Sequence, residues 1–189
     1  SYCLDRDRRC QIINVDTSPA TWHDAPILYI SGCRKPRFSN EQIAKLRTYA
    51  LQGGTIFSLV ECGGAGFRKG IRDIYKRAFP EYTLEKVSSD HPIYSVFIKL
   101  KRKPDVYVIT NGVRPLVIHT DEDVAATWHR KKYRTKKLHF YFGLNLVLVS
   151  HFRMSHFIGH SYSSLHRLST WPAAVNTAGM REIPIARVK

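Results

Sequence analysis

Short apolar runs alternate with amphipathic stretches along the first half of the chain. The run at residues 26–31 is rich in β-forming side chains and stops at Gly32, which predicts a buried parallel strand. A second run, Thr55–Val60, leads directly into a glycine-rich turn at residues 61–66. A stretch with helical spacing follows each run. The order strand, helix, strand, turn, helix is typical of a parallel sheet built from βαβ units.

Two helices are predicted, one between these strands and one after them. Ser39 and Gln42 have the spacing of a capping box, and Gly53 supplies a stop. The apolar stripe of the first helix consists of Ile43, Leu46, Ala50 and Leu51. The stripe of the second helix consists of Phe67, Ile71, Ile74, Tyr75 and Ala78. Because ligands gather at the carboxyl ends of parallel strands, any site should include the loop that starts at Glu61.

A β-hairpin is predicted around Asn111-Gly112, since the flanking residues 105–109 and 113–119 are both rich in β-formers. Pro115 restricts the second of these strands to a sheet edge or to a bulge near its start. Residues 135–152 are compatible with a strand or a helix: residues 146–149 are β-like, but the apolar positions keep helical spacing.

The excess positive charge lies mainly in the last third of the chain. The 189 residues carry a formal net charge of +15, and residues 124–189 hold 11 Lys or Arg against one acid, Glu182. Such a field attracts nucleic acid, acidic membrane surfaces and phosphorylated ligands without selecting among them.

Two basic clusters are candidates for contact with a polyanion. One consists of Arg130, Lys131, Lys132, Arg134, Lys136 and Lys137, with Tyr133 among them. The other consists of Lys99, Lys101, Arg102 and Lys103. Cations beside an aromatic ring suit phosphate contact and base stacking. No helix-turn-helix, RRM or zinc-finger pattern accompanies them, so a solvated loop is the alternative.

The four cysteines show no CxxC pair, which excludes a zinc ribbon and a disulfide scaffold. We expect free thiols, with a bond between Cys3 and Cys10 as the alternative in an oxidising compartment. No apolar run reaches the roughly 18 residues of a membrane helix. The sequence predicts a soluble domain, and it leaves open whether that domain belongs to a larger or membrane-associated protein.

The last residues, 153–189, are rich in Ser and His and lack sustained periodicity, which predicts a basic, partly ordered tail. His156 and His160 would share one helix face, but no third ligand has a fixed spacing to them. His119, His129 and the acidic turn 121–123 offer imidazole and carboxylate groups for a cation site, but their spacing matches no known one. A solvated acidic turn is the alternative. We therefore expect neither a metal nor a cofactor.

Several stretches carry a family resemblance, namely residues 26–32, 37–41 with 46–49, 53–57, 79–80, 90–94, 123–128 and 143–147. In order and spacing they resemble domain-of-unknown-function family 4159. This bacterial family is similar to the trehalose-utilisation and class I glutamine-amidotransferase-like superfamily. The most specific part is Asp90-His-Pro-Ile, followed by Asp123-x4-Trp128 and then by Gly143-x-Asn145.

The resemblance implies a flavodoxin-like three-layer α/β domain over residues 24–152, with a mostly parallel sheet and helices on both faces. It implies that 135–150 is a helix, and that residues 1–23 form an N-terminal segment in which the family's first strand and helix are shortened or absent. The basic tail lies outside the family pattern. The family has no assigned chemistry, so the resemblance implies a fold and not a function.

Cys62 stands where amidotransferase-like enzymes place a nucleophile, at a turn from a strand into a helix whose N-terminus favours a thiolate and an oxyanion. The stretch Glu61-Cys62-Gly63-Gly64 departs from the Gly-x-Cys-x-Gly pattern, and no late His-x-Glu pair supplies a base. The alternative for Cys62 is a small buried residue at a strand end.

His91 precedes Pro92, which disfavours a helix at position 91 and predicts an exposed ring in a loop. It is the candidate base, with a loop-fixing role as the alternative. The predicted ligand-binding residues are Glu61, Gly63, Gly64, Asp123 and Trp128. Of these, Asp123 and Trp128 are predicted to form a pocket wall or a structural pin.

Three functions follow from these observations. The first is a non-catalytic domain that binds an unidentified small molecule or protein partner. The second is a cysteine-dependent hydrolase or amidotransferase-like enzyme that uses Cys62 and His91. The third is non-specific binding of nucleic acid or another polyanion through the basic clusters.

Overall fold

The computed structural model describes residues 12–132 and 134–151, which form a mixed α/β domain. Its strands are β1 (Ile27–Gly32), β2 (Thr55–Val60), β3 (Glu85–Lys86), β4 (Val106–Thr110) and β5 (Pro115–Thr120). Its helices are α1 (Asn40–Leu51), α2 (Ala65–Ala78), α3 (Ala125–His129) and α4 (Lys137–His151). Short 3₁₀ turns span Pro19–Asp24 and Pro92–Tyr94.

The five strands form one sheet in the order β1-β2-β5-β4-β3. β1 with β2 and β2 with β5 are parallel pairs, whereas β4 is antiparallel to both of its neighbours. Four of these five strands therefore run in the same direction, which confirms the predicted mostly parallel sheet. The predicted hairpin is also confirmed, since β4 and β5 pair across Asn111-Gly112 and Gly112 has a φ of +85°.

Two expectations about strands need correction. β1 is not fully buried, because within the described residues it pairs only with β2, and Tyr29 is 45% exposed. β5 is central rather than at an edge. Pro115 therefore matches the second expectation, a bulge near the start of the strand, because the register shifts between Ile109 and Thr110 of the partner strand β4.

Helix α1 begins where the sequence predicts. The Ser39 hydroxyl accepts a hydrogen bond from the Gln42 backbone, and the Gln42 side chain accepts one from the Ser39 backbone, so both halves of the capping box are present. The predicted stripe was wrong at Leu51, which is 45% exposed. Tyr49 is buried instead, and its hydroxyl is satisfied by donating to the Ala25 carbonyl at 2.9 Å.

Neighbouring residues of β2 contact different helices. Ser58 accepts a hydrogen bond from Tyr75 of α2, while the Phe57 ring packs against Trp128 of α3 and Phe142 of α4. Since successive strand residues point to opposite faces, α2 and α4 cover opposite sides of β2. The helix expected over 135–150 is confirmed as α4.

Several sequence predictions concern residues outside the described ranges. These are the thiols of Cys3 and Cys10, the interleaved Tyr133, the pair His156 and His160, and the tail 153–189. Among residues 12–132 and 134–151, no helix combines the length and apolarity needed to span a bilayer.

Candidate functional site

Polar side chains gather where the parallel strands β1, β2 and β5 end. Ser31 and Cys33 lie at the end of β1, Glu61 and Cys62 follow β2, and Asp123 follows β5. We call these five residues the carboxyl-edge cluster. The register pairs Gly32 with Val60, and the Glu61 backbone donates to the Gly32 carbonyl at 3.0 Å, so the ladder continues into the loops. These groups therefore come together at the carboxyl ends of the parallel strands, where the sequence predicts any site to lie.

Glu61 joins the ends of β1 and β2. One carboxylate oxygen accepts a hydrogen bond from the Ser31 hydroxyl at 2.6 Å, and the other lies 4.0 Å from the Cys33 sulfur. The residue is only half-buried. Its carboxylate is held in a defined position while part of it still faces solvent.

Cys62 is exposed, so the interpretation of this residue as a small buried side chain is wrong. Its φ of +52° is a left-handed conformation that non-glycine residues adopt infrequently. The chain turns sharply here because Gly63 also has a positive φ, +66°, and the Gly64 backbone donates to the Glu61 carbonyl at 2.9 Å. The turn therefore presents the Cys62 thiol to solvent between β2 and α2.

Gly64 allows the two loops to approach each other. A Cβ atom at this position would lie 2.2 Å from the Cys33 carbonyl oxygen, a distance that no side chain tolerates. Gly64 therefore contributes to the site through its missing side chain, which lets the loop after β1 pack against the start of α2.

Asp123 connects the β2–α2 turn to the segment after β5. One oxygen accepts a hydrogen bond from the Cys62 backbone N–H at 3.1 Å, and the other accepts from the Ala126 backbone at 2.9 Å. The second contact satisfies an otherwise free amide at the start of α3. The Cys62 N–H, which would be a candidate oxyanion donor, is thus already used by a carboxylate.

The electrostatic surroundings of the thiols are acidic. The interaction of Cys33 with Cys62 raises the pKa of the Cys33 thiol, and the negative charges of Glu61 and Asp123 raise it further. A cysteine nucleophile ordinarily has the opposite environment, with a cation or imidazole nearby.

His91 lies in a different part of the domain. Its ring is half-buried rather than exposed, and its Nδ1 accepts a hydrogen bond from the Ile93 backbone at 3.2 Å at the start of a 3₁₀ turn. Burial lowers the pKa of His91, so the ring is neutral at neutral pH. None of the hydrogen bonds of the described residues joins a histidine to Cys62. The predicted pair of nucleophile and base is not assembled.

Trp128 acts as a pin between α3 and α4. Its indole N–H donates to the His139 carbonyl at 2.8 Å, and its ring packs on Phe57 and against Gly143. A Cβ atom at Gly143 would lie 3.1 Å from this ring, which explains a glycine inside α4. Of the two roles predicted for Trp128, these contacts match the structural pin.

A hydrogen-bonded chain runs through the core beside the cluster. The Tyr75 hydroxyl donates to Ser58 at 2.7 Å, Ser58 lies 2.8 Å from His119 Nδ1, and His119 Nε2 lies 3.1 Å from Asp121. Because the Asp121 carboxylate can only accept, Nε2 of the neutral His119 ring carries the proton and donates it, and Nδ1 accepts from the Ser58 hydroxyl.

These hydrogen-bonded residues include the types found in a Ser-His-Asp triad, but Ser58 and His119 are 0% exposed. A substrate cannot reach the hydroxyl, so the chain is structural. Burial lowers the pKa of His119 to about 4. Asp121 is also held by Arg68 at 3.1 Å and by Arg72 at 2.9 Å, so it is not the solvated acid considered as an alternative.

All six cations predicted to contact nucleic acid are exposed: Arg130, Lys131, Lys132, Arg134, Lys136 and Lys137. They occupy the segment between α3 and the first residue of α4. Within residues 12–132 and 134–151, no group of three or more His, Cys, Asp or Glu side chains is arranged to hold a metal ion.

Cys33 and Ser31 were missed at the sequence level. The argument that placed Glu61 at the ligand-binding edge also applies to the end of β1, so the signal was present in the predicted strand 26–31. The buried pairing of Ser58 with His119 carries no comparable signal, because it depends on the register of β2 against β5.

No curated protein matches the chain in sequence. A family model described as "Domain of unknown function (DUF4159)" matches residues 6–150, most of the 189-residue chain. The match begins upstream of residue 24, so it includes part of the segment 1–23. The motifs at 90–94, 123–128 and 143–147 all lie inside it. The chain therefore belongs to the family of unknown function DUF4159.

Proposed function

We propose that this chain is a non-catalytic binding domain whose ligand or partner contacts the carboxyl-edge cluster. The observation that carries the proposal is the bond from the Cys62 N–H to Asp123 at 3.1 Å. It engages one backbone N–H that could otherwise stabilise an oxyanion, and none of the hydrogen bonds of the described residues joins a histidine to the exposed Cys62 thiol.

The chemistry of the cluster favours a ligand with hydrogen-bond donors or a positive charge. Glu61 and Asp123 are both partly exposed, and each has a fixed position set by a neighbouring donor. Fixed carboxylates recognise ammonium, guanidinium or amide groups through charge-assisted hydrogen bonds. In a chain of net charge +15, two neighbouring carboxylates at the carboxyl ends of the strands are a local exception.

A thermal-shift screen of amines, guanidines and amides tests the binding role. Ligands of the cluster should stabilise the wild type and lose most of that stabilisation in Glu61→Gln, which removes the charge but keeps an acceptor for Ser31. Glu85→Gln is the matched control, since Glu85 is exposed on β3, three strands away from β2 in the sheet order. Ligands that stabilise all three proteins equally would place binding elsewhere.

The finer description of the fold is part of the same proposal. Coverage of β2 by α2 on one side and by α3 and α4 on the other supports a flavodoxin-like, three-layer arrangement similar to amidotransferase domains. The domain limits 24–152, with a leading segment 1–23 and a tail 153–189, remain our proposal. Limited proteolysis followed by mass determination of the resistant fragment tests these limits.

The enzymatic alternative is favoured by one observation, the exposed Cys62 in a left-handed conformation at a turn from a strand into a helix. It requires ammonia release from glutamine, or hydrolysis of an activated ester, at a rate abolished in Cys62→Ala. We expect both proteins to give the background rate. A rate above background that needs Cys62 would overturn the non-catalytic proposal.

Binding of a polyanion is a second candidate function, supported by the exposure of all described cations of the two basic clusters and by their shared influence on His139. Burial lowers the pKa of His139; Glu122 opposes this change, and the charges of Lys136 and Arg102 lower the pKa further. One cation from each cluster is therefore close enough to act on the same ring. Asn145 of α4 holds this arrangement, because its side chain bonds the backbone of residues 93, 97 and 98, just before the second cluster.

A further inference from the structure

The two exposed cysteines of the described chain lie side by side. Gly32 and Val60 are register partners in parallel strands, so Cys33 and Cys62 follow strand ends that lie next to each other. The Cys33 sulfur lies 4.0 Å from the Glu61 carboxylate, and the Cys62 thiol is the largest influence that raises the pKa of Cys33. Both cysteines are free.

The backbone, rather than chance side-chain rotation, brings these thiols together. The Glu61 N–H bonds the Gly32 carbonyl at 3.0 Å, and Gly64 packs so closely on Cys33 that a Cβ atom would collide with its carbonyl. Asp123 fixes the Cys62 backbone from the other side. Adjacent parallel strands lie about 4.8 Å apart. In this register Cys33 falls opposite Glu61, and Cys62 is the next residue after Glu61.

We propose that Cys33 and Cys62 form a redox-active dithiol that closes to an intramolecular disulfide by exchange with a small disulfide such as oxidised glutathione. The inference does not rest on the proposed binding function, because neither thiol is needed for the contacts of Glu61 and Asp123 with a ligand. Closure would tie the loop after β1 to the β2–α2 turn directly over Glu61.

The exchange balances in two steps. The Cys62 thiolate attacks one sulfur of the small disulfide, which breaks the S–S bond and releases one small thiol after protonation. Cys33 then loses its proton and attacks the Cys62 sulfur of the mixed disulfide, which releases the second small thiol. Two protein thiols are oxidised, and one small disulfide is reduced to two thiols.

The order of attack follows from the surroundings. Cys62 and the neighbouring carboxylates raise the pKa of Cys33, which disfavours its thiolate. Cys62 precedes α2, whose first turn contains no acidic residue and whose N-cap Gly64 provides no side-chain bond. We therefore expect Cys62 to form the mixed disulfide and Cys33 to resolve it.

The experiment uses the full chain with Cys3→Ser and Cys10→Ser, which leaves Cys33 and Cys62 as its only cysteines. The protein is equilibrated in glutathione buffers of graded ratio, quenched with an alkylating agent and digested with trypsin. The expected product links the peptide of residues 10–34 to the peptide of residues 48–68. The same titration in urea provides the unfolded reference.

The disulfide should be harder to reduce in the folded chain than in urea, because the fold gives the two thiols a high effective concentration. The ratio of reduced to oxidised glutathione that opens it should be at least about tenfold higher in the folded chain. Phenylarsine oxide, which needs two adjacent thiols, should be retained by this protein and lost when either Cys33→Ser or Cys62→Ser is added. Glutathione adducts without the cross-link, or closure no more favourable than in urea, would overturn the proposal.

Discussion

The Asp123 carboxylate accepts the backbone N–H of Cys62 at 3.1 Å and the backbone N–H of Ala126 at 2.9 Å. One side chain therefore fixes the turn after β2 and the start of α3. Both bonds are to fixed backbone donors, so the position of the Cys62 thiol depends on a residue that follows a different strand. This dependence gives Asp123 a structural importance that its half-exposed position does not suggest.

Replacing Asp123 by Ala should lower the free energy of unfolding by about 1–3 kcal/mol, since it removes a helix-capping contact and a second charge-assisted bond. Asp123→Asn should cost less, because its single amide oxygen still accepts one of the two N–H groups. Urea denaturation measures both values. Glu122→Gln is the control and should change stability by less than about 0.5 kcal/mol. Equal stability of Asp123→Ala and the wild type would refute the linking role.

Asn145 provides a second test of a side chain that organises a loop. It is 0% exposed, its Oδ1 accepts from the N–H groups of Phe97 and Ile98, and its Nδ2 donates to the carbonyls of Ile93 and Ile98. Asn145→Ala removes these four hydrogen bonds, of which the one to the Ile93 carbonyl is buried and the other three are partly buried. We expect a loss of about 2–4 kcal/mol in urea denaturation.

Asn111 is the matched control for this measurement. Its side chain also accepts two backbone N–H groups, from Val113 and Arg114, but in an exposed turn. Water can replace those bonds, so Asn111→Ala should cost under about 1 kcal/mol. Similar losses at both positions would mean that burial does not determine the importance of Asn145.

These two asparagines also show what a sequence can reveal. Asn111-Gly112 predicts its hairpin, and Ser39 with Gln42 predicts the start of α1, because in both cases the interacting groups are close along the chain. The Gly143-x-Asn145 motif was visible, but its partners at residues 93–98 were not. Such contacts depend on how α4 packs, and no local pattern records that.

The same limit applies to the candidate site. The parallel strands 26–31 and 55–60 predict that Glu61 lies at the ligand-binding edge, and the structure adds Cys33 to it from the neighbouring strand. Pairing His91 with Cys62 failed because it relied on residue type alone. A loop histidine can occupy many places in an α/β domain, and here its ring caps a 3₁₀ turn.

Stability should fall in acid because of His119. Its pKa is about 4 in the folded protein, against an ordinary value of 6.5, because burial disfavours the imidazolium. Asp121 acts in the opposite direction, and Arg72 adds to the lowering. Between these two pKa values the unfolded chain binds the proton more readily. The neutral ring thus contributes on the order of 3 kcal/mol to the free energy of unfolding above about pH 6.5, and this contribution is lost as pH falls toward 4.

Urea midpoints of the wild type and of His119→Asn at several pH values between 7 and 4 test this prediction. The variant keeps an acceptor for Ser58 but loses the titrating ring, so it should be less stable at pH 7 and show a flatter dependence on pH. Burial also lowers the pKa values of His91 and His139, but both remain in the two proteins. Parallel curves would show that His119 is not the main titrating group.

The basic clusters predict a particular dependence of nucleic-acid binding on salt. If they contact phosphates, the chain should bind DNA or RNA with little sequence preference, and affinity should fall with a log-log slope near −0.9 per phosphate neutralised on B-DNA and about −0.7 on single strands. Fluorescence anisotropy at graded salt concentrations measures this slope.

Replacing Lys131, Lys132, Lys136 and Lys137 by Ala should flatten the slope by up to about 3 to 4 units, with the fold intact because exposed lysines contribute little to stability. The control replaces four other exposed lysines, Lys35, Lys69, Lys76 and Lys86, which removes the same charge from the loop after β1, from α2 and from β3. If the two quadruple variants change the slope equally, the effect reflects net charge and not the basic cluster at residues 130–137. Absence of binding at roughly 50 mM salt, where phosphate contacts are strong, would reject the polyanion function altogether.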